Sequence, residues 1–322
     1  MDEPPKLNKE AERAPHHAME LVPGEDAPFD YAVWGQIAGA TDQLVSSAGS
    51  LSVAAHAYTA RWRKTRQPTT LTPAGVEAFK DRVEHDVYAY AADLAKLGVR
   101  PLADRPPTRE RQQAYSTAQD NPERTASDLW EDLVKGRLMV YTTASEPWAE
   151  QLMESRLVDL SQKDVVNPDQ MKVRYISDPR LEINPRIDTD RHPRCIVPKH
   201  QHVARRVLYW QRRYPGIDVL LCKRDVEGAF KLIPVAVEGA PHIGCRFATY
   251  VVTYLSMFIG WKPSPANWGV VTTLLLQFVA SYTPVWTDLR GPEALTPFQY
   301  VDDSAFVEPW IGIRPWLAVS IW

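Results

Sequence analysis

The spacing of apolar and polar positions changes several times along the chain, and those changes divide it. From Tyr31 to Ala60 the pattern predicts helix. A second, clearer helix follows Thr72-Pro73, a capping residue and a proline suited to a first turn. It runs through AGVEAFKDRVEHDVYAYAADLAKLG, with apolar residues every three or four positions, to a closing Gly98. A weaker helical pattern containing Trp130, Leu133, Leu138 and Trp148 covers residues 127 to 158. The period then shortens. Residues 171 to 184, MKVRYISDPRLEIN, alternate around Val173, Tyr175 and Ile176 and predict a strand ending in a turn at Asp178-Pro179. In ARRVLYWQRRYPG helical spacing returns, burying Val207, Leu208 and Trp210 and turning Arg205, Arg206, Arg212 and Arg213 to water. Val219, Leu220 and Leu221 read as a buried strand leading into Asp225.

The most apolar tract, Thr249 to Val279, is interrupted by Gly260-Trp261-Lys262-Pro263-Ser264-Pro265. No uninterrupted stretch long enough for a membrane remains, so the tract reads as buried core. Pro265 fits the first turn of a helix running through Val270 to Val279, with Ser264 as its N-cap. These elements predict a flexible leader over residues 1–28, a mainly helical region over 29–100, a linker over 101–126 and a helical connecting region over 127–164. Residues 165–322 mix strands and helices as an α+β domain does.

Composition narrows the picture. With 322 residues and 44% hydrophobic content the chain holds ample core. The formal net charge of -3 excludes a uniformly basic nucleic-acid coat, so local charge matters more than the total. Cys195, Cys222 and Cys245 form no metal-spaced pair. The first 28 residues lack the apolar segment of a signal peptide, which predicts an intracellular protein, cytoplasmic or nuclear.

Candidate chemistry is concentrated in the second half. Tyr300-Val301-Asp302-Asp303 sets two adjacent carboxylates between short apolar runs, where a tight strand turn would offer both to a divalent ion. Such pairs are also common in solvated hairpin turns. With Asp225 they suggest a site for two Mg²⁺, with Mn²⁺ as the alternative ion, of the kind that supports nucleotidyl transfer. Arg174 and Arg180 flank Asp178, either to grip a triphosphate or as an ordinary ion-pair network. Arg205, Arg206, Arg212 and Arg213 serve equally as template contacts or as a solvated face. Phe230, five residues after Asp225, is a support for an incoming sugar or a core aromatic.

Taken together these segments resemble the reverse-transcriptase domain of retroviruses and retroelements. The family's motif A is similar to Asp225-Val226-Glu227-Gly228-Ala229-Phe230. Its motif B is similar to Gly260-Trp261-Lys262-Pro263-Ser264-Pro265-Ala266-Asn267-Trp268, and its motif C to Tyr300-Val301-Asp302-Asp303, all in the family order. Arg174, Asp178 and Arg180 keep the family's spacing in the fingers. The resemblance covers residues 165 to 310 and departs from the family at Ile259, where retroviral members often carry glutamine, and in the long segment WTDLRGPEALTPF.

The resemblance implies a partial right-hand polymerase: a palm, incomplete fingers, no full thumb, and a mainly helical N-terminal extension. Asp225, Asp302 and Asp303 would be the metal-binding catalytic residues. Arg174, Phe230, Gly260, Trp261, Lys262, Ser264 and Tyr300 would contact the deoxynucleoside triphosphate. The implied partners are an RNA or DNA template with its primer. Only 19 residues follow Asp303, which implies either inactivity or a thumb supplied by another chain. Two other functions are compatible with the same residues: a noncatalytic nucleic-acid-binding remnant, and a helical adaptor.

Overall fold

The structure is a computed structural model describing residues 17–66, 69–101, 114–145, 154–163, 171–282 and 293–321, with backbone alone at 145, 154–155, 158–163 and 171–175. Eight strands lie among the described residues: β1 (Leu138–Thr142), β2 (Glu154–Lys163), β3 (Met171–Asp178), β4 (Val219–Asp225), β5 (Gly244–Phe247), β6 (Tyr250–Tyr254), β7 (Phe298–Tyr300) and β8 (Asp303–Pro309). They form a five-stranded sheet ordered β1-β6-β5-β2-β3 and a three-stranded sheet ordered β4-β8-β7. Helices and mainly antiparallel sheets together make an α+β chain. It divides into a first unit of residues 1–71, 97–191 and 230–264 and a second of residues 72–96, 192–229 and 265–322.

In the first unit the sequence predicts one helix from Tyr31 to Ala60, and the structure holds two, Tyr31–Ala48 and Leu51–Thr65. The Gly49-Ser50 pair makes the break. Gly49 takes φ 70° and closes the first helix by donating its N–H to Val45, while Ser50 Oγ caps the second by accepting from the Val53 N–H. Asp30 caps the first helix, accepting from Ala32 and Val33 at 2.8 and 3.2 Å. Trp34, Ile37, Ala38, Thr41, Leu44 and Val45, a stripe at helical spacing, are buried. Trp34 meets Phe247 and Tyr250 of the sheet, and Asp42 accepts from the Thr142 amide and hydroxyl at 2.9 and 2.7 Å.

The helical reading of residues 127–164 needs correction. Helix Pro122–Val134 ends at Gly136, which has φ 68°, and Leu138–Thr142 is a strand pairing antiparallel with β6. The run Leu138-Met139-Val140-Tyr141 is buried on both faces, and a continuous apolar run can be strand as readily as helix. Residues 154–163 are also strand, running parallel to β5 and antiparallel to β3. The linker expected over 101–126 gives way to helix from Ser116 onward, and its residues 102–113 lie outside the described residues, as does Trp148. Of the expected flexible leader, residues 1–16 lie outside the description, whereas Ala18, Met19 and Val22 are buried.

In the second unit the long helix expected after Thr72 is two pieces, Pro73–Glu77 and His85–Leu97. Turns bonded three residues back fill the interval, and tertiary contacts hold them there. Phe79 meets Phe278 edge-on at 4.7 Å, Arg82 lies over the Phe278 and Tyr282 rings, and the Glu84 amide donates to Gln277. On one face of the small sheet, Cys222 and Phe306 pack with Val279, Leu295, Leu317 and Ala318. Helix His200–Arg213 places Trp210 in the core, its indole N–H donating to the Val307 carbonyl at 2.7 Å. Contrary to the pattern-based expectation, Leu208 is half exposed and Arg206 is partly buried.

Candidate metal centre on the small sheet

Asp225 ends β4 and Asp303 begins β8, and the antiparallel register sets them directly opposite one another. Opposed residues in an antiparallel pair point to the same face, so both carboxylates leave the sheet on one side. Tyr300 pairs with Asp303 in turn, leaving Val301 and Asp302 as a two-residue loop. The Asp302 carbonyl accepts from the Val226 amide at 2.9 Å, tying the loop to the end of β4. As a result Asp225, Asp302 and Asp303 each offer an oxygen within 4.8 Å of the others, with Asp225 and Asp302 exposed and Asp303 partly buried.

Three carboxylates this close repel one another unless a cation answers them. Lys223 supplies one from the protein. Two residues before Asp225 and therefore on the same face, it places its ammonium 2.8 Å from an Asp303 oxygen. Its pKa is raised, first by that hydrogen bond and then by the charges of Asp303, Asp225 and Asp302. An all-oxygen donor set of charged carboxylates suits a hard divalent cation such as Mg²⁺.

The turn itself is braced. Gln299 is buried beside Ser304, which donates to its Oε1, and Gln299 Nε2 donates to the Val301 carbonyl at 2.7 Å. The indole N–H of Trp268 donates to the same carbonyl. Alternation could have flagged Lys223 in advance. Nothing in the pattern separates Trp268 from the other aromatics near it.

The other expected site residues are placed as follows. Tyr300 is exposed at the end of β7. Arg174 lies on β3 opposite Leu160, its side chain outside the described residues. Asp178 forms a paired contact with Arg180, Nε and Nη2 each at 2.7 Å, and accepts from the Tyr115 hydroxyl at 3.1 Å. Phe230 is half buried in the 3-10 turn Ala229–Leu232.

Gly260 has φ 96°, and a Cβ there would sit 2.8 Å from the Ser177 carbonyl, so glycine is required by both conformation and space. Trp261 is 1% exposed and stacks on Phe258, which makes its ring a core aromatic rather than a substrate surface. Lys262 is exposed, with its amide bonded to Asn184 Oδ1 at 2.9 Å. Ser264 is not the expected cap. Buried as the first residue of helix Ser264–Ala280, it donates its hydroxyl to the Phe258 carbonyl at 2.9 Å.

The four arginines are not one open face. Arg206 lies 4.2 Å from the Trp210 ring centre and donates to Thr296, while Arg213 pairs with Glu293 at 3.2 Å. Arg205 and Arg212 are exposed and, with Leu208, Tyr209 and Arg213, line a shallow depression. Among the described residues, no helix is long and apolar enough to cross a membrane.

No family model matches the chain, and no curated protein matches it in sequence. Among solved structures, native prototype foamy virus protease-reverse transcriptase is similar at 15% identity, covering 74% of this chain and 30% of that one, with a TM-score of 0.42. A foamy viral protease-reverse transcriptase in complex with double-stranded DNA is similar at 14% identity, covering 79% and 41%, with a TM-score of 0.44. One in complex with an RNA/DNA hybrid is similar at 15%, covering 79% and 32%, also at 0.44. The chain therefore spans less than half the length of these three proteins.

Proposed function

We propose that this chain carries the palm and part of the fingers of an RNA-directed DNA polymerase of the reverse-transcriptase type, belonging to a retrotransposon-like element. The observation that carries the reading is the meeting of Asp225 with Asp302 and Asp303, from two distant segments, on one exposed face of the β4-β8-β7 sheet. Two Mg²⁺ held there would activate a primer 3′-hydroxyl and neutralise the charge that develops on the departing pyrophosphate. Asp225 and Asp302 supply the oxygens that hold the ions, and Asp303 completes the acidic set. Lys223, paired with Asp303, offsets part of the negative charge before the ions bind. Tyr300, exposed beside the turn, is a surface for the nucleotide or primer end. Phe230 is the candidate sugar gate, and Arg174 and Lys262 are candidate triphosphate contacts.

The clustered carboxylates count against a purely helical adaptor. A noncatalytic nucleic-acid-binding remnant is the second reading, favoured by the exposure of Arg205 and Arg212 beside Tyr209. Primer extension on an RNA template with Mg²⁺ or Mn²⁺ separates the two. Incorporation that falls at least about a hundredfold in both Asp225→Asn and Asp302→Asn supports the polymerase. Salt-sensitive primer-template binding without incorporation, unchanged in both variants, makes the remnant the correct reading.

A further inference from the structure

The turn that carries Asp302 has a residue poorly suited to it. With Tyr300 and Asp303 paired, Val301 and Asp302 are the two central positions, and of these only Val301 has a positive φ, 55°. Two-residue hairpins with that pattern favour glycine at the first central position. A β-branched residue in the left-handed region is strained, and it persists only where its surroundings hold it.

The Val301 carbonyl belongs to the peptide that joins Val301 to Asp302, so whatever fixes that carbonyl fixes the start of Asp302. Two side chains donate to it, Gln299 Nε2 and the Trp268 indole N–H. Both donor residues are buried, at 4% and 2% exposure, and the carbonyl they meet is partly buried. Trp268 stands within the second turn of helix Ser264–Ala280, a rigid element, whereas Gln299 belongs to the short strand it braces.

We infer that Trp268 is a positioning residue for the metal-binding carboxylates: its indole N–H holds the Val301–Asp302 peptide in the strained conformation that brings Asp302 to Asp225 and Asp303. The inference rests on the metal-site reading above, and it assigns Trp268 a role that packing does not require, the donation of a hydrogen bond to a turn carbonyl.

The test is Mn²⁺ binding, followed by the spectroscopic signal of the free ion with Mg²⁺ as competitor. It is made on the parent chain and on Asp225→Asn, Trp268→Phe, Val301→Gly and Trp268→Phe combined with Val301→Gly. Trp268→Phe is expected to weaken binding about three- to tenfold, the effect of one buried hydrogen bond. In the Val301→Gly background, where glycine adopts the left-handed turn without strain, the same change is expected to cost less than about twofold. Should Trp268→Phe not fold, Gln299→Leu removes the other donor to the same carbonyl and is expected to show the same dependence on Val301.

Unchanged affinity in Trp268→Phe, with binding lost in Asp225→Asn, overturns the inference and leaves the metal site standing. Equal losses in both backgrounds assign Trp268 to packing alone and overturn it too. A parent chain that binds no Mn²⁺ overturns the metal reading and this inference together.

Discussion

The two units bury and expose different things. Of the twelve largest fully buried side chains among the described residues, nine belong to the first unit, among them Trp34, Tyr58, Tyr141, Phe247 and Trp261; the second contributes Trp210, Phe306 and an arginine, Arg314. Exposed large apolar residues divide the other way, with Leu221, Tyr300, Trp310, Ile313 and Trp316 all in the second unit. The largest core groups of the first unit are thus aromatic and aliphatic, whereas those of the second include a charged side chain, although the first also holds buried ion pairs, Arg186–Glu182 and Arg137–Asp132. The candidate chemistry lies in the unit that exposes more of its large apolar side chains. Asp225 and Asp302, exposed at the end of the small sheet, are not covered by packing of that kind.

The strongest test of that contrast is Arg314→Met. Arg314 is 1% exposed, donates to Glu308 at 2.6 Å and to the Glu293 and Ala294 carbonyls at 2.8 and 3.0 Å, and lies over the Trp210 ring. Removing it strands a buried carboxylate, which costs about 3–5 kcal/mol when one partner of such a pair is lost. Urea unfolding of the double variant Arg314→Met with Glu308→Leu is expected to recover most of the loss, because two well-packed apolar groups do not need each other's charge. A single variant that unfolds like the parent would remove the polar interior from the comparison.

Gly98→Ala probes the first unit and has a matched control in the second. Gly98 has φ 80°, and a Cβ would lie 2.5 Å from the Ala236 nitrogen and from the Val235 carbonyl carbon, backbone atoms fixed by the Val99–Val235 bridge. Gly216 has nearly the same φ, 83°, with nothing within 4 Å of the added carbon. Gly216→Ala should cost only the left-handed penalty, about 1 kcal/mol, and Gly98→Ala about 3 kcal/mol once backbone displacement is added. Equal losses in the urea midpoints would show that the tight approach at Gly98 relaxes freely.

What the sequence discloses follows the same division. Local rules show on the chain, so Thr72 can be read as a cap, Gly98 as a helix end and Gly260 as a close approach. The strand ending in Asp225 and the Asp302-Asp303 turn are legible because apolar runs and turn chemistry act over a few residues, but the strand expected to be buried is not, with Leu221 64% exposed. Properties set by distant partners are not legible. Leu138-Met139-Val140-Tyr141 becomes strand because β6 lies beside it, Trp261 is buried by Phe258 and its surroundings, and Arg206 is taken from solvent by Trp210 and Thr296. At the site, the motifs indicate three carboxylates, but only the folded chain shows that Asp225 opposes Asp303 and that Lys223 pairs with Asp303.

The smallest expected effect is a difference in pH dependence. Burial is the largest influence on Glu308 and raises its pKa despite the Arg314 guanidinium, so desolvation outweighs attraction there. The folded state then holds the Glu308 proton more tightly than the unfolded chain does. Its contribution to stability is complete below the ordinary glutamate value, near pH 4.5, and is lost as pH rises through the folded value. Asp178 in the first unit has the opposite sign. The Arg180 hydrogen bonds lower its pKa, so its contribution is present above the ordinary aspartate value, near pH 3.8, and is lost as pH falls through the folded value. Arg180 lies largely in water, where screening keeps that contribution small. Melting temperatures from pH 3 to pH 7 should therefore lose a decline on the rising side in Glu308→Gln and a decline on the acid side in Asp178→Asn. If both variants flatten the same side, the two carboxylates share one kind of environment, and the contrast between the units fails at its most direct electrostatic measure.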